Sequence, residues 1–109
     1  MPGDSLLEFV LDQLAPLRGV ESRPMFGGHG LYLDGEFFGM VFDGRAWFRT
    51  DDRTRPRYRE AGALPVPFGG PGGEKRYWSV PEDVLEDGPL LVEWAREAAA
   101  VPRGASRKG

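Results

Sequence analysis

The chain has 109 residues, 40% of them hydrophobic, and a formal net charge of −3, which fits one domain with a core of its own. It has no cysteine, which excludes disulfides, thiolate metal sites and a cysteine nucleophile, and its mild acidity disfavours non-specific nucleic-acid binding. No apolar run approaches the roughly 18 residues of a membrane span, and the first residues lack a secretory signal. We therefore expect a cytoplasmic protein that does not contact membranes.

A helix is predicted over residues 5–17. Ser5 and Glu8 have the spacing of a capping box, in which each side chain accepts a hydrogen bond from the backbone amide of the other residue. Gly19 is a suitable residue to end this region. Apolar residues recur every three or four positions, as on one face of a helix: Leu6, Val10, Leu14 and Leu17.

Three strand-like runs follow, over residues 31–33, 37–42 and 46–48. They are separated by Asp34-Gly35 and Asp43-Gly44, and Asp-Gly favours two-residue type I′ turns because both central residues take positive φ. The sequence therefore predicts an antiparallel meander, preceded by a further strand near residues 20–26.

Alternation from the two turns sorts the side chains of the meander onto two faces. One face has no charge and is assigned to the core: Gly30, Tyr32, Phe37, Gly39, Val41, Ala46 and Phe48. The other is apolar with charged neighbours: Leu31, Leu33, Glu36, Phe38, Met40, Phe42, Arg45, Trp47 and Arg49.

Three explanations of this second face stay open. A helix of the same chain covers it, or single-stranded nucleic acid stacks on Phe38 and Trp47. Alternatively it is a homodimer or partner interface, since aromatic, Met and Arg side chains are enriched at such surfaces. The candidate interaction residues are Phe38, Met40, Trp47, Arg45 and Arg49.

The second half of the chain predicts two more helices and one or two strands. A short helix that includes residues 57–61 is predicted to be capped by Asp51 or Asp52 and to end at Gly62. The other predicted elements are an edge strand over 64–68, a flexible loop over 69–73, a strand over 75–80, a helix start at Pro81 and a last helix from about Pro89.

These elements predict an α+β domain with an antiparallel sheet of about four to six strands and three helices. The predicted order is α-β(3–4)-α-β(1–2)-α. The domain is expected to span residues 1–101, and residues 102–109 are expected to form a disordered basic tail.

No motif specifies a reaction, a metal or a cofactor. His29 is the one histidine, and no serine or cysteine nucleophile accompanies it at motif spacing. The glycine-rich segments at 27–30 and 69–73 lack the Gly-Lys-Ser/Thr ending of a phosphate-binding loop. We expect no enzyme activity, no metal and no cofactor.

Six arginines lie within fifteen positions, and four acidic residues nearby leave this region with a charge of +2. A solvated, largely neutralised face is the favoured interpretation, and a nucleic-acid-binding surface is the alternative. The cluster consists of Arg45, Arg49, Arg53, Arg55, Arg57 and Arg59.

Four segments together carry a family resemblance. The first is Arg23-Pro24-Met25-Phe26-Gly27-Gly28-His29-Gly30-Leu31-Tyr32, followed by Asp34-Gly35 and Phe38-Gly39. The others are Asp51-Asp52-x-Thr54-Arg55-Pro56, Tyr77-Trp78-x-Val80-Pro81-Glu82 and Leu91-x-Glu93-Trp94-Ala95. Over residues 5–100 the chain resembles the N-terminal domain of TfoX/Sxy-type competence regulators.

This resemblance implies an antiparallel α+β fold of the secretion-chaperone-like kind and a non-enzymatic regulatory or protein-interaction domain. Full-length members are regulators of natural transformation that co-activate competence promoters with the cyclic-AMP receptor protein. They carry a second domain of helix-hairpin-helix character, and this chain is expected to be a stand-alone member without it. The expected partner is another protein or a second copy, and a small-ligand-binding domain is an alternative.

The motif Arg23, Pro24, Met25, Phe26, Gly27 and Gly28 is expected to be structural. We expect Phe26 to be buried, and Gly27 or Gly28 to occupy a bend with positive φ.

Overall fold

The computed structural model describes residues 2–25, 27–66 and 76–101, with side chains from Ser5 onward, and has the predicted α+β architecture. Its strands form one antiparallel sheet in chain order. The elements are α1 (Pro2–Gln13), β1 (Val20–Met25), β2 (Gly28–Leu33), β3 (Glu36–Phe42), β4 (Arg45–Arg49), α2 (Arg55–Glu60), β5 (Tyr77–Ser79), α3 (Glu82–Leu85) and α4 (Gly88–Ala100).

Both Asp-Gly turns have the predicted conformation. Asp34 and Gly35 have φ of 52° and 85°, and Asp43 and Gly44 have φ of 55° and 73°. Aspartate and glycine tolerate this left-handed region, which type I′ turns require at both central residues. The meander is therefore confirmed, with β1 as its first strand.

Helix α1 begins and ends earlier than the predicted range of residues 5–17. It starts at Pro2, so Ser5 lies inside the helix and does not cap it. Pro16 has no amide hydrogen and cannot continue the helical ladder, and the Leu17 amide donates to the Leu14 carbonyl at 2.8 Å in a tighter turn. The predicted apolar stripe is nevertheless buried at Val10, Leu14 and Leu17.

The main core lies between one face of the sheet and the helices α1 and α4. Burying large apolar side chains on both sides of this layer is the main source of stability of the fold. The sheet contributes Leu31, Phe38, Val41, Ala46, Phe48 and Trp78, and the helices contribute Val10, Leu14, Leu91, Trp94 and Ala95.

Strand β3 contains a bulge at Phe38. Leu31 pairs with Gly39 and Tyr32 pairs with Phe37, so Phe38 is an extra residue in the ladder. The backbone comes close to β4 here: a Cβ on Gly39 would lie 2.4 Å from the backbone oxygen of Trp47. The bulge turns Phe38 toward the helices, where it is fully buried.

The predicted faces are wrong on one side of this bulge. An extra residue shifts the register by one, which moves each side chain to the opposite face. Leu31, Leu33 and Phe38 therefore pack in the helix-side core, whereas Tyr32 and Phe37 lie on the opposite face. After the bulge the prediction is correct: Val41, Ala46 and Phe48 belong to the core, and Met40 and Trp47 to the other face.

A loop segment, and not a helix, contributes to covering the second face. Met40, Trp47 and Val66 form a second buried cluster. The Val66 amide donates to the Tyr77 carbonyl at 2.8 Å, which holds the segment 64–66 against β5. Within the described part of the predicted strand over 64–68, a single bridge joins Pro65 to Trp78. Proline fits there because the flanking Val66 and Ser79 amides donate the hydrogen bonds of this bridge.

Several predictions fall outside the described residues: the burial of Phe26, the glycine loop over 69–73 and the basic tail over 102–109. The region predicted to start a helix at Pro81 forms α3, which adds a fourth helix to the three expected. None of the described helices is long and apolar enough to cross a membrane.

The β1–β2 hairpin depends on two glycines for different reasons. Gly27 has the expected positive φ, +82°, whereas a Cβ on Gly28 would lie 2.3 Å from the Val41 backbone oxygen. We expect Gly27→Val and Gly28→Val each to reduce the free energy of unfolding by about 1–3 kcal/mol in urea denaturation, with the larger loss at Gly28. Two variants with the wild-type midpoint would contradict this account of the hairpin.

Candidate interaction surface

The five predicted interaction residues do not form one exposed surface. Phe38 is buried under the helices because of the bulge, and Met40 and Trp47 are only 5% and 3% exposed. Arg49 is also buried, and Arg45 alone among the five is exposed. A contact surface centred on Phe38, Met40 and Trp47 is therefore wrong for this fold.

Arg49 is buried because its guanidinium joins several parts of the fold. Its Nη2 donates to the Phe37 carbonyl next to the bulge, and its Nη1 donates to the Val101 carbonyl at 3.1 Å. Its Nε donates to the Tyr77 hydroxyl at 3.4 Å, and the Glu36 carboxylate lies 3.5 Å away. These contacts compensate for the desolvation of the charge, so Arg49 has a structural role.

The bulge instead brings a row of aromatic rings to the second face of the sheet. The Tyr32 and Phe37 centroids are 5.4 Å apart in an edge-to-face arrangement, and those of Phe37 and Tyr77 are 5.8 Å apart. The Arg23 guanidinium lies over the Tyr32 ring, 4.7 Å from its centroid. Beside them lies Met25, and we call this set the hairpin face: Arg23, Met25, Tyr32, Phe37 and Tyr77.

Two members of the hairpin face are exposed and the rings are half-buried. Met25 is 42% exposed, and the side chain of Arg23 is 60% exposed. The site of Gly30 lies among them, since a Cβ there would be 3.0 Å from Phe37 and 3.4 Å from the Met25 sulfur. A flat aromatic and thioether surface with an arginine at its edge is typical of protein interfaces.

Most of the arginine cluster is ion-paired, as the favoured interpretation predicts, but two of the acidic partners lie outside the region and Arg49 is buried and not solvated. Arg59 stacks on the Trp78 ring, with 5.6 Å to the centroid. Four of the six arginines form ion pairs: Arg49 with Glu36, Arg53 with Asp51, Arg55 with Asp52, and Arg57 with Glu97. Phosphate binding would have to break some of these pairs, which weighs against this cluster as a nucleic-acid surface.

An open cleft of about 760 Å³ lies between the β3–β4 turn, the end of α2 and the start of α3. Arg57 lies in its wall over the Trp94 ring, 4.2 Å from the centroid, and is paired with Glu97. Both signs of charge line the cleft: Arg45 and Arg57, and Asp43, Glu82 and Asp83. This mixture does not favour a small ligand of one charge.

His29 has no environment that indicates catalysis. It is half-buried in β2 and lies between Pro24 and Val41 in the ladder, neither of which titrates. Within residues 2–25, 27–66 and 76–101, no three His, Asp or Glu side chains are placed to hold a metal ion.

The motif that begins with Asp51 forms the turn before α2, but the N-cap residue is Thr54 and not Asp51 or Asp52 as predicted, and the Thr54 side chain makes no capping hydrogen bond. The Asp51 Oδ1 accepts from the backbone amides of Arg53 and Thr54, both at 3.0 Å. The Thr54 hydroxyl oxygen in turn accepts from the Asp51 amide at 3.1 Å. Arg55 then donates to Asp52 at 2.9 Å and to Thr50 at 3.2 Å. These contacts give the motif a structural role.

Comparison with protein-family models agrees with the resemblance in the sequence. A model described as the TfoX N-terminal domain matches residues 12–101 of the 109-residue chain. A comparison with curated proteins finds no match.

The Asp51 carboxylate in the turn before α2 makes the fold sensitive to acid. Burial alone would raise the pKa of Asp51, but hydrogen bonds from Thr54 and Arg53 outweigh it and lower the pKa below 3.8. The stability from this ionised carboxylate is thus present above pH 3.8 and is lost as the pH falls through the lowered pKa. We expect Asp51→Asn to reduce the free energy of unfolding by about 0.5–1 kcal/mol at neutral pH.

The difference between wild type and Asp51→Asn should shrink as the pH of the denaturation experiment is lowered below about 4. The matched control is Asp52→Asn, because the Asp52 side chain is 94% exposed and should show a smaller effect. A difference at Asp51 that is the same at neutral and acid pH would contradict this assignment.

Proposed function

Because the chain belongs to the TfoX N-terminal domain family, we propose that it is a non-enzymatic regulatory domain that acts by binding another protein. The proposed setting is the control of transcription and competence in the cytoplasm, which is what the family resemblance implies. The proposed contact surface is the hairpin face. Support for a non-enzymatic role comes from the surroundings of His29 and from the structural roles of the acidic motif residues.

The hairpin face carries this proposal because the fold does not account for it. Trp78, Leu91 and Trp94, which belong to the later motifs of the resemblance, are buried in the core. In the first motif, by contrast, Arg23 and Met25 are exposed on the sheet. A protein that leaves a thioether and an arginine beside half-buried rings has a surface suited to a partner.

The chemistry of the hairpin face defines the partner. Met25 and the edge of Tyr32 offer an apolar contact, and the Arg23 guanidinium is held in place by the ring beneath it. A folded protein with an exposed apolar side chain next to a carboxylate would match both features. The Arg23 guanidinium also lies 3.6 Å from the exposed Glu21 carboxylate, and a carboxylate of the partner would share or replace this weak surface pair.

Nucleic acid is the less favoured candidate. The arginine cluster is mostly paired, and Phe38 and Trp47, on which bases would stack in this alternative, are buried. A mobility-shift assay at low salt addresses this directly, since counterion release favours binding most strongly there.

We expect Met25→Asp to abolish the regulatory output when it replaces the wild-type protein in a deletion strain, because a charge would enter the apolar contact. The measurement is transcript abundance across the genome, with thermal melting as a check that the fold is intact. Phe9→Asp is the matched control, since Phe9 is 41% exposed but lies on α1. We expect the Phe9 variant to behave as wild type.

A folded Met25→Asp protein with wild-type output would contradict the assignment of the hairpin face. Loss of output in the Phe9 variant alone would place the contact on α1 instead.

A further inference from the structure

Strand β1 is an edge strand of the sheet, and no other described strand pairs with its outer side. At the opposite edge, β5 is bridged by the segment 64–66, whose Val66 amide and Leu64 carbonyl bond to it. Among the described strands, β1 pairs with β2 alone. An unpaired strand edge offers donors and acceptors to another strand.

The register shows which backbone groups of β1 point outward. The Gly19 carbonyl accepts from the Asp34 amide at 3.0 Å, so this position faces β2. In an antiparallel ladder such positions alternate, and Glu21 and Arg23 therefore also face β2 with their backbone groups. The outward groups are those of Val20, Ser22 and Pro24. Pro24, which has no amide hydrogen, thus occupies a position where β2 needs no donor.

Ser22 lies between two residues of opposite charge on β1. Glu21 and Arg23 lie on either side of Ser22 and on the same face of the sheet, with the Glu21 Oε1 3.6 Å from the Arg23 Nη2. Their side chains are 63% and 60% exposed. We propose that β1 pairs antiparallel with β1 of a second copy of this chain, around a two-fold axis at Ser22. Glu21 of each copy then lies directly opposite Arg23 of the other.

This pairing satisfies both the backbone and the charges. The two Ser22 residues exchange amide-to-carbonyl hydrogen bonds, and each Val20 amide donates to the Pro24 carbonyl of the other copy. Opposite charges directly across an antiparallel pair stabilise it, and like charges destabilise it. An axis at Glu21 or at Arg23 would oppose two like charges, and an axis at Ser22 is the one that sets Glu21 opposite Arg23.

The contact is small, and we expect association that depends on protein concentration and weakens at high salt. It goes beyond the proposed function and does not rest on it: Arg23 belongs to both surfaces, but edge pairing depends on the β1 backbone and Glu21, whereas the hairpin face depends on Met25 and the rings. Pro24 and charged residues can also protect an edge from pairing. The experiment therefore distinguishes protection from self-recognition.

The test is sedimentation velocity at low salt over a concentration series, using the whole chain. Wild type is expected to dimerise. Glu21→Arg and Arg23→Glu each place like charges opposite one another and should weaken association by about tenfold or more. The matched control is Glu93→Arg, an exposed position on α4, which should leave association unchanged.

Two restorations make the test specific for this register. A mixture of the Glu21→Arg and Arg23→Glu proteins sets only opposite charges against each other and should form heterodimers. The double variant Glu21→Arg/Arg23→Glu reverses the pattern within one chain and should dimerise again. Thermal melting of each variant checks that the monomer is folded.

A wild-type chain that stays monomeric at the highest concentration in low salt would overturn the proposal and identify the charges as edge protection. So would single variants that dimerise like wild type, or a mixture that does not associate. Regulatory output with the Met25 variant is read separately, so either proposal can fail alone.

Discussion

The bulge at Phe38 determines which side chains of the sheet are buried and which meet solvent. One extra residue in β3 sends Phe38 into the core with Leu31 and leaves Phe37 on the opposite face beside Tyr32. Without it, strict alternation would place the Tyr32 and Phe37 rings of the hairpin face under the helices. The exposed surface that we assign to partner binding therefore exists because of a single irregularity in the ladder.

Long-range contacts hold this irregularity in place. A bulge leaves backbone groups without a regular strand partner, and the Phe37 carbonyl receives a hydrogen bond from Arg49. The same guanidinium reaches the Val101 carbonyl at the end of α4. Gly39 allows the backbone of β3 to approach Trp47 at the bulge. Sheet, bulge and last helix are thus coupled through one buried arginine.

Features governed by neighbouring residues could be predicted from the sequence. The Asp-Gly turns and the apolar stripe of α1 each depend on chemistry within a few positions, and both are present. Asp51 also bonds nearby amides as its residue type suggests, but in the turn before α2, where Thr54 is the N-cap. The bulge could not be predicted, because the groups that stabilise it are distant in sequence. They are the Arg49 guanidinium on β4 and the Val101 carbonyl that holds this guanidinium in place. The site prediction failed with it, since Phe38 and Arg49 have no local signal that marks them as buried.

The same distinction explains the smaller differences. Pro16 ends the helical ladder of α1, although the apolar spacing continues to Leu17. The segment 64–66 lies in a predicted strand but forms a single bridge to β5, and Val66 packs with Met40 and Trp47. Periodicity identified the buried residues there more reliably than the type of backbone that carries them.

The most direct test of the bulge compares Phe38→Ala with Phe37→Ala in chemical denaturation. Phe38 is fully buried, so its truncation should reduce the free energy of unfolding by about 3–5 kcal/mol, and truncation of half-buried Phe37 should cost clearly less. A larger loss at Phe37 than at Phe38 would show that β3 alternates without a bulge, and would contradict both the fold and the hairpin face.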